Sequence, residues 1–311
     1  MKYISVFSGI EAASVAWNNL GWEPVAFSEI EPFPCRVLQH HYPNVHNLGD
    51  ITKINWSPYV GTVDLVVGGS PCQTFSIAGT QTGLDGASGL VREYFRGLEV
   101  VRPRFFLWEN VPGALSSSRG NDFQFILRQW DKLGYHVAWR VLDAKYLGVA
   151  QRRRRVFAFG SLRDWRDPIK VLFERESLRR NTKPRKKKGE ADTPVAGTGA
   201  EGTSRRVARM VGFGDYAEDG TASALKARDY KDCTDLVYSI QGNMIGCSDA
   251  NGPRVRRLTP LECLRLQGFP DDYLDLDGAT DTQKYKAIGN SMAVPVMRWI
   301  GERIEQLTKG A

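Results

Sequence analysis

The stretch DLVVGGSPCQTFSIAG, residues 64 to 79, decides the fold class. Its short apolar run ends in two glycines, followed by a serine, a proline and a lone cysteine. A continuous apolar strand is typical of a parallel sheet covered on both faces, and such sheets hold ligands at the carboxyl ends of their strands. The stretch therefore predicts a buried strand and a loop, stiffened by Pro71, that carries the Cys72 thiol. On these residues alone, a cysteine packed as a small apolar side chain is an equal alternative.

The first half of the chain alternates between strand and helix patterns. They predict strands at 3–7, 24–30, 63–69, 104–111, 135–142 and 154–160, and helices at about 11–20, 32–41, 88–101 and 121–134. Alternation of this kind predicts an α/β fold, with a Rossmann-like, mostly parallel sheet and helices on both faces.

The pattern changes after about residue 161. Residues 175–252 are rich in glycine, threonine, aspartate and basic residues, with only short apolar runs, which predicts a second, loop-rich region. RRLTPLECLRLQGFP (256–270) predicts a helix capped by Thr259, with Pro260 at its first position. Apolar residues at helical spacing predict a last helix, which would return to the first region.

Composition narrows the class of protein. The 311 residues are 42% hydrophobic and 25% charged, as in a globular chain. No apolar run approaches the roughly 18 residues of a membrane span, and the N-terminus lacks a signal-peptide pattern, so a cytoplasmic protein is expected. Five widely spaced cysteines without a C-x-x-C pair argue against a disulfide framework and a zinc site, and the zinc deaminase signature is missing.

The charge is moderately basic and unevenly distributed. A net charge of +7 permits a polyanionic partner without requiring one. Eight basic residues and one acid lie between Arg175 and Lys188. This strip is either a solvated linker or a phosphate-contacting surface.

Three polar groups predict a nucleotide-type cofactor at one edge of the sheet. Gly9 lies in the turn after the first strand, and Glu29 ends the second strand 20 residues later, the spacing at which an acid binds ribose hydroxyls. Asp50 is expected at the same edge. Each acid taken singly could be a helix cap or a loop residue, but the three together favour a cofactor site.

A second group of residues points to chemistry on an electron-poor ring. Glu109 ends the fourth strand, and strand alternation in QRRRRVF directs Arg153 and Arg155 to one face, unless the arginines form only a surface patch. Positive charge raises the thiolate fraction of a cysteine, and a glutamic acid of raised pKa can protonate a ring nitrogen. Cytosine is such a ring, since thiolate addition at C6 makes C5 nucleophilic.

Blocks in order along most of the chain resemble the cytosine-C5 DNA methyltransferases of bacterial and phage type, which use S-adenosylmethionine. The matching blocks are FSGIEAA, SEIEP, GDI, GGSPCQTFSIAG, ENVPG, QRRRRVF, RRLTPLECLRLQGFP and YKAIGNSMAVPV. The resemblance implies that Cys72 is the nucleophile, that Glu109 acts on N3 of the base, and that Arg153 and Arg155 bind the base and its phosphate neighbourhood. Gln73 and Ser76 would lie on the loop that closes over DNA.

The same resemblance implies a cofactor pocket. Its residues would be Phe7, Ser8, Gly9, Ile10, Glu29, Ile30, Asp50, Ile51, Pro71, Leu90, Asn290 and Ser291. Two positions depart from the family pattern. Glu11 and Ala12 stand where glycine is usual, and Ile30 stands where an aromatic residue often stacks on adenine.

The resemblance also implies a domain organisation. Residues 1–161 and 286–311 would form a discontinuous catalytic domain, 162–255 a DNA target-recognition domain, and 256–285 a connecting segment. The target cytosine would be flipped out of the duplex. Lys186, Lys187, Arg228 and Tyr230 would contact DNA, although a charged surface turn also accounts for the last two.

Alternatives within and outside this function stay open. The chain could methylate RNA, or it could be a DNA-binding relative without catalysis, which the set of Cys72, Glu109 and Arg153 argues against. The expected partner is double-stranded DNA, bound by a monomer. A restriction-modification or phage anti-restriction role, with or without a partner endonuclease, fits the resemblance.

Overall fold

The structure is a computed structural model, which describes residues 1–71, 89–174, 205–212, 215–217, 222, 235–239 and 256–310. Two compact units divide the described chain. The first contains residues 1–71, 89–142, 154–174 and 296–310, and the second contains 143–153 and the described residues from 205 to 295.

A seven-stranded sheet forms the centre of the first unit. Its strands are β1 (Lys2–Val6), β2 (Glu23–Ser28), β3 (His46–Asn47), β4 (Leu65–Gly68), β5 (Phe105–Asn110), β6 (His136–Asp143) and β7 (Arg154–Ser161). They lie in the order β3-β2-β1-β4-β5-β7-β6. The pairs from β3 to β5 are parallel and β7 is antiparallel to β5. The sheet is therefore mostly parallel, and its first five strands follow the order of a Rossmann sheet.

Helices cover both faces of this sheet. They are α1 (Ala12–Trp17), α2 (Pro32–His41), α3 (Gly89–Val101), α4 (Asn121–Lys132), α5 (Arg166–Leu172) and α8 (Val294–Lys309). On one face, alternate strand residues such as Ile4 and Phe106 pack with apolar residues of α3 and α4. On the other face, Tyr3 contacts Trp17 of α1, whose indole nitrogen donates to the Met297 carbonyl of α8. The predicted fold class is confirmed.

Helix α5 was not predicted, since seven residues are too few for a clear helical period. The Ser161 hydroxyl at the end of β7 donates to Asp167 of α5, and Arg303 of α8 donates to the Val171 and Phe173 carbonyls. Residues 162–174, expected in the recognition domain, therefore lie in the first unit.

The second unit contains a four-stranded antiparallel sheet. Its strands are β8 (Arg205–Gly212), β9 (Asp215–Ala217), β10 (Asp235–Ser239) and β11 (Arg256–Arg257), in the order β11-β10-β8-β9. Helix α6 (Pro260–Gln267) begins at the predicted Thr259 cap, where Thr259 and Glu262 form a reciprocal capping box. Helix α7 (Asp281–Asn290) was not predicted. Within the described residues, no helix combines the length and apolar character of a membrane span.

Candidate active site

The segment that leads into the predicted nucleophile is fixed by side chains of β5. The Asn110 amide donates to the Ser70 carbonyl (3.2 Å) and is 3.3 Å from its hydroxyl, and the Trp108 indole nitrogen is 3.2 Å from the same hydroxyl. All three residues are buried, so breaking one of these hydrogen bonds would leave a polar group without a partner away from water, which is costly. Sequence reasoning missed this clamp, although Asn110 directly follows Glu109. Cys72, Gln73 and Ser76 lie outside the described residues.

Glu109 and Arg155 form an ion pair at the end of β5. The Arg155 Nε lies 3.1 Å from Glu109 Oε1, and both side chains are largely shielded from solvent. Glu109 pairs with Phe157 in the antiparallel ladder, so Arg155, two residues before Phe157, lies diagonally opposite on the same face. The sheet register thus brings together two of the predicted catalytic residues.

Arg153 has different surroundings, within the second unit. Its side chain is 2% exposed, and its Nη2 donates to the carbonyls of Gly289 (2.9 Å) and Ser291 (2.6 Å). The Gln267 amide donates to the nearby Ile288 carbonyl. Arg153 therefore holds the end of α7, where the predicted cofactor residues Asn290 and Ser291 lie. Strand β7 begins at Arg154. The prediction that strand alternation directs Arg153 and Arg155 to one face therefore applies to Arg155 and does not extend to Arg153.

The turn after β1, where a cofactor is predicted to bind, bends through residues in the left-handed region. Phe7, Gly9 and Glu11 have φ angles of 52°, 56° and 60°. The Gly9 amide donates to Glu29 Oε2 (2.7 Å), and the amides of Ile30 and Glu31 donate to Glu29 Oε1 (2.8 Å each). The Glu29 carboxylate therefore joins the turns that follow β1 and β2, and its orientation is fixed by backbone donors.

Ile30 and Asp50 lie at the same edge of the sheet, after the ends of β2 and β3. Ile30, two residues after β2, is 66% exposed, so its apolar side chain is accessible. Asp50 caps the 3₁₀ helix Ile51–Lys53, where its Oδ1 accepts from the Thr52 amide (3.0 Å) and hydroxyl (2.8 Å). These hydrogen bonds lower the pKa of Asp50. The carboxylate is therefore a local helix cap, the alternative that the sequence allowed. Its Oδ2 is oriented by the same bonds and lies 3.6 Å from the Nζ of the exposed Lys53 side chain.

Glu11 is the departure from the family pattern with the clearest structural effect. Its side chain is 1% exposed and its Oε1 accepts from the Ser14 amide (3.1 Å) and hydroxyl (3.0 Å). Burial raises the pKa of Glu11 to about 7; hydrogen bonds with Ser5 and Ser14 oppose the rise and the Glu29 charge adds to it. A glutamate is accommodated here because its carboxyl caps α1, whereas its backbone takes a conformation that favours glycine.

The predicted site residues fall into three groups. Those at the carboxyl edge of the first unit's sheet, or at the start of α3, are Phe7, Ser8, Gly9, Ile10, Glu29, Ile30, Asp50, Ile51, Pro71, Leu90, Glu109 and Arg155. Arg153, Asn290 and Ser291 belong to the second unit. The DNA contacts predicted for Lys186, Lys187, Arg228 and Tyr230 fall, like Cys72, Gln73 and Ser76, outside the described residues.

Comparison with known proteins identifies relatives along the whole chain. The sequence model of the C-5 cytosine-specific DNA methylases matches residues 1–306. The "DNA N-6-adenine-methyltransferase" of Escherichia phage P1 is 37% identical over 97% of this chain, which spans 61% of that protein. "Type II methyltransferase M2.BsuMI" of Bacillus subtilis is 31% identical over 98% of the chain and 76% of its own length. "Type II methyltransferase M.NgoPII" of Neisseria gonorrhoeae is 31% identical over 95% and 92%.

Solved structures share the fold at low sequence identity. The Entamoeba histolytica methyltransferase EhMeth superposes with a TM-score of 0.73 at 16% identity, over 99% of this chain and 98% of its own. A DNA modification methyltransferase from an E. coli prophage superposes with a TM-score of 0.61 at 19% identity, over 99% of both chains.

Proposed function

Since the chain belongs to the family of C-5 cytosine-specific DNA methylases, we propose that it transfers a methyl group from S-adenosylmethionine to C5 of a cytosine in a specific sequence of duplex DNA. The observation that carries this proposal is the Glu109–Arg155 ion pair beside the clamped Ser70, two residues before the lone Cys72 thiol. A nucleophile and an acid from neighbouring strands are what addition to a pyrimidine ring needs.

The proposed reaction begins with a cytosine flipped out of the duplex, because C6 is inaccessible inside the stack. The Cys72 thiolate forms a bond to C6 while the Glu109 carboxyl group, once it has taken up a proton, delivers that proton to N3 in the orientation set by Arg155, and the resulting enamine is nucleophilic at C5. The bound S-adenosylmethionine supplies an electrophilic methyl group. The methyl group would pass to C5 as its bond to the cofactor sulfur breaks, which leaves S-adenosylhomocysteine. The proton on C5 then leaves to a base, the C6–S bond breaks so that Cys72 departs as thiolate, and the N3 proton returns to Glu109. The Ser70 clamp would hold the start of the Cys72 loop in position for both covalent steps.

The cofactor edge, which comprises residues 7–11, 29–31 and 50–54, has side chains that fit S-adenosylmethionine. Glu29, with both oxygens already oriented, retains a lone pair on Oε2 for a ribose hydroxyl. Asp50 can accept the adenine amino group at Oδ2, and the exposed Ile30 side chain offers an apolar surface for the base. The family resemblance adds Asn290 and Ser291, at the turn that Arg153 and Gln267 hold, as proposed cofactor residues.

The remaining roles are proposed on the same basis. The basic strip and residues 225–232 would contact phosphates and bases, as part of a recognition domain between about 182 and 255. We propose a restriction-modification role on the likeness to Type II methyltransferases, with a phage anti-restriction role as the alternative. The enzyme would act as a cytoplasmic monomer.

One relative favours a second candidate, methylation of adenine N6. The name of the phage P1 protein, a DNA N-6-adenine-methyltransferase, is the observation behind it. Its alignment covers 457 positions, more than the 311 residues of this chain, so the phage protein carries additional segments. An exocyclic amine can attack the methyl donor directly, and this reaction leaves Cys72 and Glu109 without a use. Cytosine C5 is therefore the stronger proposal.

Release of tritium from cytosine C5 tests the proposal. Duplex DNA tritiated at C5 should release about one tritium to water for each methyl group gained, because the C5 hydrogen must leave after transfer. Digestion of the product should give 5-methylcytosine. N6-methyladenine, or methylation without tritium release, would contradict the mechanism, and a parallel assay with RNA separates the two nucleic acids as substrates.

A further inference from the structure

Helix α3 reaches the cofactor edge through Arg96. Its guanidinium donates from Nη2 to the Ile51 carbonyl (2.8 Å) and from Nη1 to the Ile54 carbonyl (3.0 Å). Its Nε donates to Glu93 one turn earlier (2.6 Å). All three guanidinium nitrogens are therefore engaged, and two of them hold the 3₁₀ helix that Asp50 caps.

This 3₁₀ helix depends on outside support. A turn of three residues makes too few internal hydrogen bonds to be stable alone, and its last carbonyls need donors from elsewhere. Asp50 satisfies the beginning of the turn and Arg96 satisfies its end. Since the turn is short and both ends are fixed, the position of Asp50 Oδ2 depends on the position of the Ile51 and Ile54 carbonyls.

Packing of α3 against the same segment makes Arg96 a fixed support. A Cβ atom at Gly97 would lie 3.0 Å from the Trp56 ring, so α3 and the segment that follows the turn approach as closely as glycine allows. The planar fork of arginine can reach two carbonyls at once, which the single ammonium of lysine cannot do in the same geometry.

We propose that Arg96 is a positioning residue for adenine recognition, which acts by fixing the turn that presents Asp50 Oδ2 to the adenine amino group. This inference rests on the proposed function, because it takes an adenosine cofactor as given. Arg96 itself does not touch the cofactor. It determines whether Asp50 can distinguish an amino group from a carbonyl at C6 of the purine.

Calorimetric binding of two ligands tests this role. The ligands are S-adenosylhomocysteine and S-inosylhomocysteine, which differ in the amino and carbonyl groups at purine C6. The wild type should prefer the adenosine compound by at least about tenfold, since a site built for a hydrogen bond rejects an analogue that lacks it. In Arg96→Gln the preference should fall to about twofold or less. Arg92→Gln is the matched control, on the same helix but over the Phe125 ring and away from the turn, and should keep the wild-type ratio.

The ratio separates positioning from general destabilisation, because a loosened fold weakens both ligands equally. Arg96→Lys, which keeps the charge and loses the fork, should give an intermediate ratio and serves if the glutamine variant does not fold. A wild-type ratio in either folded Arg96 variant would overturn the inference, as would a wild type that binds both ligands equally. A wild type that binds neither ligand would instead overturn the proposed function.

Discussion

Two neighbouring regions of the first unit are built from different kinds of hydrogen bond. The cofactor edge comprises residues 7–11, 29–31 and 50–54, and its carboxylates accept from backbone amides: Glu29 from three, Asp50 from Thr52 and Glu11 from Ser14. These acids are held by the backbone of their turns, and Arg96 of α3 supports the turn of Asp50. Any bond they form with a ligand is added to a geometry that exists without it.

The chemistry edge comprises Ser70, residues 108–110 and Arg155, and it depends on side-chain donors. Trp108 and Asn110 hold Ser70, and Arg155 holds Glu109. The difference predicts separable effects. Substitutions at the cofactor edge should change cofactor affinity and leave the maximal rate intact, whereas substitutions at the chemistry edge should change the rate and leave cofactor affinity intact.

The largest expected effect is that of Cys72→Ser. Turnover should fall by at least about a thousandfold, because a serine hydroxyl is a far weaker nucleophile than a thiolate at neutral pH. The affinity for S-adenosylmethionine, measured by calorimetry, should stay within about twofold of wild type. A serine variant that retained a tenth of the wild-type rate would remove Cys72 from the mechanism.

Glu109→Gln should lower the rate by about a hundredfold, the usual contribution of a general acid. The amide keeps the shape of the side chain and one acceptor for Arg155, so cofactor affinity should not change. Single-turnover methylation at saturating cofactor is the measurement. A loss of cofactor affinity in this variant would show that the two edges are coupled.

How well each edge can be predicted from the sequence depends on whether its contacts join residues that are close along the chain. Strand ends and turn residues are local, so the places of Gly9, Glu29 and Asp50 could be predicted from periodicity and spacing alone. The Glu109–Arg155 pair needs the antiparallel register of β7 with β5, and the sequence supplied the residues without their pairing. The Ser70 clamp and Arg96 are contacts over about 40 residues of chain, which no local pattern encodes.

Glu29→Gln tests the cofactor edge. Its amide group would face a backbone N–H, either of Gly9 or of Ile30, and a donor facing a donor cannot bond. Cofactor affinity should fall by about thirtyfold, while the rate at saturating cofactor stays near wild type. Glu31→Gln, in the same turn, is the control and should bind the cofactor normally. An unchanged affinity in Glu29→Gln would mean that the carboxylate only shapes the turn.

The smallest effect concerns stability and pH at Glu11. Its folded pKa of about 7 lies above the ordinary 4.5, so between these values the folded state holds a proton that the unfolded state has lost. Wild-type stability therefore falls as pH rises from about 4.5 to 7, and the loss is complete above the folded pKa. Glu11→Gln removes this titration. The pKa shift limits the stability that Glu11→Gln can gain at pH 8 to about 3 kcal/mol. Burial of the amide offsets part of this gain, so the free energy of unfolding should rise by a net amount on the order of 1 kcal/mol.

Urea unfolding of both proteins at pH 5 and pH 8 measures this difference. At pH 5 Glu11 is mostly protonated in the folded state, so the wild type should be at least as stable as the glutamine variant. Between pH 5 and pH 8 the free energy of unfolding of the wild type should fall relative to that of the variant, so that the variant is the more stable protein at pH 8. Glu305→Gln provides a control of opposite sign, because bonds from Lys309 and Trp22 lower the pKa of Glu305, and the glutamine variant should lose stability at high pH. Parallel pH profiles of wild type and Glu11→Gln would mean that Glu11 is ionised at neutral pH. The cofactor turn would then carry a buried negative charge next to Glu29, and the positive charge of S-adenosylmethionine would be the group best suited to compensate it.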